Sequence, residues 1–344
     1  MNKNNKNRSV RHHGAGRFLV TLATVATLCT SCQDPVRLFG EAQGTYYSIQ
    51  YYDPQQRDFQ PQIDSLLHAF DLSASLWVDS SLLRRINANL TDSLDDILFP
   101  LLSNSLRIEE YTGGAFNCRV GRLVQAWGFS FKERSEPDST ALAAMLQAAH
   151  APVDILIGHR IHKNNPATEL DFNAIAQGYA SDLVAQFLAS KGIRDYLVDI
   201  GGEVIAHGRK SRGKPWKVGI ERPAENSYSE PVVEIAISLV NRSVVTSGSY
   251  RKYYEKDGVK YSHTIDPSTG RPVTHSLLSV SVVEDECWLA DAMATAYMVM
   301  GLERAKQFIN DHQGQPGTDA VCFIYDSCGT MATYATQGFN EIMQ

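Results

Sequence analysis

The sequence lacks the patterns that would assign it to several common classes. No segment repeats with a period of tens of residues, which excludes a solenoid, and no paired CxxC spacing indicates a zinc site. The first 31 residues carry Lys/Arg but no Asp/Glu, and without them the formal net charge of −6 falls to about −11. A chain this acidic is a poor candidate for nucleic-acid binding, which needs a basic surface.

What is present is ordinary for a globular protein. The chain has 344 residues, 43% of them hydrophobic and 20% charged. This length and composition predict one large domain or two closely packed ones.

The first residues have the layout of a secretory signal. An apolar run from Phe18 to Leu28 is too short to span a membrane comfortably, and the small pair Thr30-Ser31 precedes Cys32. This predicts a lipoprotein-type signal over residues 1–31, with Cys32 lipidated as the first residue of a domain spanning 32–344. Cys29 stands where such signals usually carry Leu, so an ordinary cleaved signal or an uncleaved anchor stays open. The positive residues before the apolar run are Lys3, Lys6, Arg8, Arg11 and Arg17.

Export would expose the remaining cysteines to an oxidising compartment. Cys322 and Cys328 flank a short FIYDS segment, and a disulfide across a small hairpin is one possibility. Cys118 and Cys287 have no obvious partner.

The stretch from Val244 to Pro272 is the richest in chemistry. It combines a small-residue turn (Thr246, Ser247, Gly248), one histidine (His263) and an Asp-Pro turn. Long loops loaded with hydroxyls and a lone His are more often functional than decorative. A β-hairpin with an ornate loop remains the alternative.

A second informative stretch is ELDFNAIAQGYASD, from Glu169 to Asp182. It predicts a strand ending at Asp171, a turn through Asn173-Ala174, and a helix running to about Lys191. Amides at such a helix start can hold phosphate oxygens, although the stretch is neither GxGxxG nor a P-loop. Asp171 as a simple helix cap is the alternative.

A small-residue helix is predicted over Ala290–Gly301. Asp291 and Thr295 are four residues apart and therefore share one face of it. A carboxylate and a hydroxyl pointing the same way suit a hard cation such as Mg²⁺. The alternative is that Asp291 caps the helix and Thr295 only packs.

Alternating and helical patterns predict the remaining elements. Helices are expected over 58–72, 95–111 and 141–150, with a short one that carries Leu82, Leu83 and Ile86 and is capped by Asp79 or Ser80. Strands are expected over 44–52, 196–202, 216–220, 232–239, 243–246, 277–283, 321–325 and 331–335.

Taken together, these segments resemble the ApbE family of FAD:protein FMN transferases. Seven matching stretches follow one another in order and span most of the chain after the signal. The resemblance implies an α+β fold with mixed, largely antiparallel sheets flanked by helices. The stretches are GTYYSI, SLWVDSSLLRRIN, TGGAFNCRVGRLVQAWGF, LDFNAIAQGYASDLV, YLVDIGGEVIAHG with PWKVGIERP, VVTSGSYRKYYEKDGVKYSHTIDPSTGRPV and LADAMATAYMVMG.

The resemblance also implies residue roles. Asp291, Thr295 and the backbone carbonyl of Ala174 would bind Mg²⁺, and His263 is the candidate base or phosphate-binding group. Gln177 stands where many relatives carry Lys, and Asn117 where many carry Asp, which puts the balance between protein transfer and FAD hydrolysis in doubt. The positions implied to contact FAD are Gln43, Trp77, Ala115, Phe116, Asn117, Asp171, Gln177 and Ile265.

The implied reaction is Mg²⁺-dependent transfer of FMN from FAD to a Thr or Ser hydroxyl, with release of AMP. The implied acceptors are exported flavoprotein subunits of membrane redox complexes, and the enzyme would be lipid-anchored and face the periplasm. Two alternatives stay open: an FAD pyrophosphatase that yields FMN and AMP, and an exported FAD-binding protein without turnover.

Overall fold

The computed structural model describes residues 34–129, 137–223, 232–249, 253–256 and 259–344. The predicted signal and Cys32 lie outside them. The strands are β1 (Val36–Ala42), β2 (Thr45–Tyr51), β3 (Val153–Leu156), β4 (Arg160–Lys163), β5 (Tyr196–Ile200), β6 (Glu203–His207), β7 (Trp216–Glu221), β8 (Val233–Leu239), β9 (Arg242–Gly248), β10 (Tyr253–Lys256), β11 (Val259–Ser262), β12 (Ile265–Asp266), β13 (Arg271–Pro272), β14 (Leu277–Glu284), β15 (Ala320–Ser327) and β16 (Thr330–Ala335).

The helices lie between these strands along the chain, and five of them follow one another between β2 and β3. They are α1 (Gln60–Ala74), α2 (Leu82–Asn87), α3 (Leu98–Tyr111), α4 (Gly121–Ala126), α5 (Ser139–His150), α6 (Ala176–Ser190), α7 (Cys287–Asp311) and α8 (Gln337–Ile342). None of the helices in the described part of the chain is both long and apolar enough to cross a membrane.

An eight-stranded sheet organises the fold, in the order β1-β2-β5-β6-β9-β14-β15-β16. Each neighbouring pair in it is antiparallel. Four smaller two-stranded sheets pair β3 with β4, β7 with β8, β10 with β11, and β12 with β13. The α+β fold predicted from the family resemblance is therefore confirmed.

The centre of this sheet is covered on both faces, because alternate residues of a strand point to opposite sides. On β9, Val245 packs into the cluster formed with α1, α3, α6 and α7, whereas Val244 packs against the β7–β8 hairpin and α8. Val282 and Val283 on β14 divide in the same way. The helix pair α6 and α7 is thus held on one face of the sheet by a continuous apolar layer.

Two tight turns lie at one end of the sheet. Gln43 and Gly44 join β1 to β2 with φ of 54° and 73°, and Gly201 and Gly202 join β5 to β6 with φ of 68° and 110°. Two-residue hairpin turns need this left-handed backbone, which glycine adopts without strain. Both turns lie at the same end of the sheet because the strands are antiparallel. We call it the turn end.

Several sequence predictions need correction. The segment before Asp171 is not a strand; its one ladder contact is an isolated parallel bridge between Val120 and Glu169. The turn predicted through Asn173-Ala174 is present, and α6 follows it from Ala176. The cap of α2 is Ser81, whose Oγ accepts the Arg84 amide, not Asp79 or Ser80. The helix predicted to end at Gly301 continues to Asp311, but Gly301 interrupts it with φ 73° and ψ 170°.

The disulfide considered for Cys322 and Cys328 is not formed. Both are free thiols, the first buried and the second exposed. Cys322 pairs with Ala335 inside the ladder, whereas Cys328 lies in the turn beyond Ser327. Five or six residues of extended strand separate them by about 17–20 Å, far more than the roughly 7 Å that a disulfide allows between Cα atoms.

Candidate active site

The carboxylate of Asp291 lies at the start of α6. Its Oδ2 accepts a 3.0 Å hydrogen bond from the amide of Gly178. In a regular helix that amide would donate to the carbonyl of Ala174, four residues earlier. The carboxylate therefore replaces a helical acceptor and lies beside the turn that contains Ala174. Burial raises the pKa of Asp291, which is only 5% exposed.

Close packing of the two helices makes this contact possible. A Cβ on Gly178 would lie 2.5 Å from the Cys287 carbonyl oxygen and 2.8 Å from the Cβ of Asp291. Real atoms do not approach so closely, so only glycine fits here. Gly178 therefore sets the distance at which Asp291 meets the first turn of α6.

A second carboxylate holds the start of α7. The two oxygens of Asp182, on α6, accept hydrogen bonds of 3.0 and 2.8 Å from the amides of Cys287 and Trp288. The residue at the N-cap position, Glu286, makes no side-chain cap of its own. Asp182 supplies this cap from the neighbouring helix.

Thr295 lies one turn beyond Asp291 and faces strand β9. Its Oγ1 is 3.5 Å from the Oγ of Ser247, and Thr246 exchanges a 2.7 Å hydrogen bond with Ser281. From Cys287 to Gly301, Thr295 is the one residue that is half-buried rather than buried.

Gln177 reaches the turn end of the sheet, where the Gln43-Gly44 turn also lies. A Cβ on Gly201 would lie 2.8 Å from Nε2 of Gln177 and 2.8 Å from Cγ2 of Thr45, which follows the Gln43-Gly44 turn. Neither amide atom of the buried Gln43 side chain finds a hydrogen-bond partner among the described residues. A buried polar group without a partner costs free energy, and a bound polar ligand would satisfy it.

The loop that follows α3 runs beside Asp171. The Asp171 amide donates a 2.7 Å hydrogen bond to the Cys118 carbonyl, next to Asn117. Asn117 is only 7% exposed; its Oδ1 accepts the Arg119 amide at 2.7 Å, and its Nδ2 is 3.3 Å from the Ala149 carbonyl. The Asp171 carboxylate accepts the Asn173 amide, and burial raises its pKa. Asp171 therefore shapes the turn before α6 rather than capping the helix.

The remaining predicted site residues differ in how deeply they are buried. Ala115 and Phe116 are buried, at 6% and 1% exposure, so Phe116 acts as core. Ile265 is buried in a separate cluster with Leu123 and Trp127. His263 is half-buried, with its ring centroid 6.4 Å from that of Phe129, and Trp77 is 60% exposed.

The structure therefore brings together two predicted groups. Asp291 meets the turn of Ala174, and Gln177, in the first turn of α6, reaches the turn of Gln43. Asp171 ties the 115–117 loop to the same turn. The sequence missed Asp182, Gly178 and Gly201, although Gly178 and Asp182 stand inside the stretch it singled out. Asp182 and Gly178 depend on groups of α7 that are about a hundred residues away in sequence. Gly201 depends on side chains of α6 and β2.

The donor set fits a hard divalent cation. Carboxylate, hydroxyl and carbonyl oxygens are what Mg²⁺ prefers, and Asp291 and Thr295 offer them from one helix face. Within the described ranges, no three His, Cys, Asp or Glu side chains cluster closely enough to hold a metal. A site here would therefore depend on one carboxylate completed by neutral oxygens and water.

Comparison with known proteins gives one consistent result. Residues 43–321 match the model of the ApbE family. A curated FAD:protein FMN transferase of Vibrio cholerae is 35% identical over 300 residues, covering 83% of this chain and 88% of its own. The one of Escherichia coli is 34% identical over 285 residues, covering 79% and 80%. The solved flavin transferase ApbE from Vibrio cholerae superposes with a TM-score of 0.78 at 32% identity, over 90% of this chain and 99% of that one.

Proposed function

The chain belongs to the ApbE family, and from that premise we propose that it transfers FMN from FAD to a Thr or Ser hydroxyl of an acceptor protein. The hydroxyl oxygen attacks the phosphorus of the FMN half of the pyrophosphate. A phosphodiester bond forms, the bond to the bridging oxygen breaks, and AMP leaves with that oxygen. The hydroxyl proton passes to a base. The observation that carries this proposal is the contact between Asp291 and the start of α6, which would put a cation bound to Asp291 beside the turn that precedes this helix.

Mg²⁺ is the proposed cofactor, held by Asp291, Thr295 and the Ala174 carbonyl. When bound, it would neutralise charge on the phosphoryl oxygens. Asp291 orients the first turn of α6 through the Gly178 amide, and Gly178 keeps that turn close to the carboxylate. These protein groups are positioned before substrate arrives, which lowers the cost of ordering them in the transition state.

FAD is proposed to lie along the turn end of the sheet. Gln43 offers buried amide atoms whose donor and acceptor both need a partner, and Gln177 lies at Gly201, at the same end of the sheet. The exposed face of Trp77 suits stacking on a flat ring. Ala115, Phe116, Asn117, Asp171 and Ile265 complete the proposed FAD contacts, mostly through backbone and shape because their side chains are buried.

His263 is the proposed base or phosphate-binding group. A half-buried imidazole near the Asp-Pro turn suits proton transfer at neutral pH. Replacing His263 by Asn would keep a hydrogen-bonding side chain and remove the base, so a loss confined to the rate of the chemical step would indicate proton transfer.

We also propose that the protein is exported, carries lipid on Cys32, and acts on flavoprotein subunits of membrane redox complexes on the periplasmic side. The support is the arrangement of the first 31 residues. Mass spectrometry of the purified protein would test lipidation, with a Cys32→Ser variant as the control.

The deciding experiment is product analysis. The protein is incubated with FAD and Mg²⁺, with and without a candidate acceptor, and AMP and protein-bound flavin are measured. Transfer predicts that AMP release depends on the acceptor and that the acceptor gains the mass of one FMN less one water. Equal AMP release without acceptor, and no bound flavin, would instead indicate an FAD pyrophosphatase. FAD recovered intact under both conditions would indicate a binding protein.

A further inference from the structure

The end of the sheet opposite the turn end carries a concentration of positive charge. Six exposed cations lie on the connections from α6 to β5 and from β6 to β7, and we call this surface the basic end. It stands out because the chain after residue 31 is strongly acidic, with a net charge of about −11. The residues are Lys191, Arg194, Arg209, Lys210, Arg212 and Lys214.

Hydrogen bonds place these connections next to each other. The Arg209 amide donates to Asp195 Oδ1 at 2.7 Å, and the Arg194 carbonyl is 2.7 Å from Nδ1 of His207. The Lys210 amide donates to the Lys214 carbonyl at 2.8 Å. The cations therefore form one surface.

The acidic residues nearby do not cancel this charge. Asp53 is buried in an ion pair with Arg57, whose guanidinium also donates to the Lys191 carbonyl at 3.1 Å. Asp195 is half-buried and accepts the Arg209 amide. Beside the β1, β5 and β6 edge of this end, the exposed carboxylates Asp34 and Asp58 accompany six exposed cations. Further along the sheet, the exposed Asp285 and Asp319 lie 3.9 Å from Arg242, next to the exposed Glu286, so the excess of positive charge is confined to the β1–β6 side.

The described chain also begins at this end. Gln56 precedes Arg57 in the loop after β2. Its side-chain amide donates a 3.2 Å hydrogen bond to the Asp34 carbonyl. The residue proposed to carry lipid, Cys32, precedes Asp34 by two positions, which a chain spans in at most about 7 Å. A lipid anchor would therefore hold the basic end close to the bilayer.

The proposed FAD site lies at the other end of the same strands. The seven residues of β1 run from the basic end to the Gln43-Gly44 turn, a distance of about 20 Å at 3.3 Å per residue. Docking at the basic end would leave the turn end facing away from the lipid surface, where a protein acceptor can reach it.

We propose that the basic end binds an anionic phospholipid surface and orients the enzyme with its flavin site pointing away from the membrane. Lys and Arg near a bilayer attract anionic headgroups over a distance of about one Debye length, so several weak contacts add up. This proposal is independent of the transfer reaction, since none of the six cations is part of the proposed site.

The test uses residues 33–344, a compact unit that contains the apolar clusters on both faces of the sheet. Sedimentation with phosphatidylglycerol-containing vesicles and with pure phosphatidylcholine vesicles gives two partition coefficients. The variant is Lys210→Glu with Lys214→Glu. The matched control is Arg107→Glu with Arg304→Glu, which makes the same change in net charge at exposed positions of α3 and α7.

We expect the unmodified fragment to prefer anionic vesicles. The Lys210/Lys214 variant should lose at least about tenfold in partitioning, because each basic residue near the surface contributes roughly 1 kcal/mol. The control should keep most of the binding, and added salt should weaken it. Equal partitioning to both vesicle types, or equal losses in the two variants, would overturn the proposal. Binding of the fragment to an acidic protein but not to vesicles would also overturn the proposal. AMP release from FAD, measured with an acceptor and without vesicles, should be the same in all three proteins, which separates this outcome from a failure of the proposed function.

Discussion

Asp182 and Asp291 cap each other's helices. Asp182, on α6, accepts the first two amides of α7, and Asp291, on α7, accepts the Gly178 amide in the first turn of α6. Each carboxylate also faces the positive end of the other helix dipole. This exchange fixes the position of Asp291, so the proposed metal site depends on a residue that does not touch the metal.

Replacing Asp182 with Ala removes the cap of α7. We expect the free energy of unfolding to fall by about 1–3 kcal/mol, because two buried amides lose their acceptor. Affinity for Mg²⁺ should fall as well, since Asp291 is no longer held in place. Urea unfolding and metal titration by calorimetry measure the two effects. Asp182→Asn, which keeps one acceptor oxygen, should fall between the parent and Asp182→Ala; unchanged Mg²⁺ affinity in Asp182→Ala would contradict the positioning role.

Replacing Asp291 with Ala should abolish turnover while FAD binding is partly retained. The loss should be at least a hundredfold in AMP release, because the proposed metal would supply several kcal/mol of charge stabilisation. Asp285→Ala is the control: Asp285 is an exposed carboxylate just before α7, and its ion pair with Arg242 is 3.9 Å long. A turnover rate in Asp291→Ala equal to that of the control would remove Asp291 from the site.

Stability should depend on pH through the two buried carboxylates. Burial raises the pKa of Asp182 to about 7 and raises that of Asp291 as well. The folded state then binds these protons more tightly than the unfolded state, so the free energy of unfolding falls as pH rises from about 4 to 7 and levels off above. For Asp182 the shift corresponds to roughly 4 kcal/mol at most. Urea unfolding at pH 5 and 7.5 in chelator should show a smaller difference for Asp182→Asn than for the parent, and equal differences would refute this.

Gly178→Ala should destabilise the protein, although alanine normally favours a helix over glycine by up to about 1 kcal/mol. The added methyl group would collide with the Cys287 carbonyl and push the two helices apart. We expect a loss of about 1–3 kcal/mol in thermal or urea unfolding. An increase in stability would show that α6 and α7 are not packed this closely.

Thiol reactivity should separate the cysteines by burial. Cys328 is exposed, whereas Cys118, Cys287 and Cys322 are buried, and burial raises the pKa of Cys118 and Cys322 to about 12. Brief alkylation of the folded protein should modify Cys328 alone among these four, and the others should react after denaturation. Mass spectrometry of peptides reads the outcome. A Cys322–Cys328 disulfide would instead leave Cys328 unreactive until reduction.

Local patterns were enough to locate most elements and the segments of the site. The alternation in TYYSIQY and VEIAISL marks strands, and the apolar spacing in α1 marks a helix, because these periodicities are properties of neighbouring residues. The spacing of Asp291 and Thr295 on one helix face is equally local. Order and content of seven segments then indicated the family.

Tertiary structure alone decided which of these residues meet. Asp182 caps amides 105 and 106 positions away, and Gly178 is required by a carbonyl on α7; neither requirement leaves a trace in the nearby sequence. The sequence pattern before Asp171 is that of a strand, but this segment pairs with no strand of the sheet and forms only an isolated bridge. Composition showed an acidic chain. Only the antiparallel strand order gathered six of its cations at one end and the proposed flavin site at the other, because contacts between distant segments depend on how the sheet brings them together.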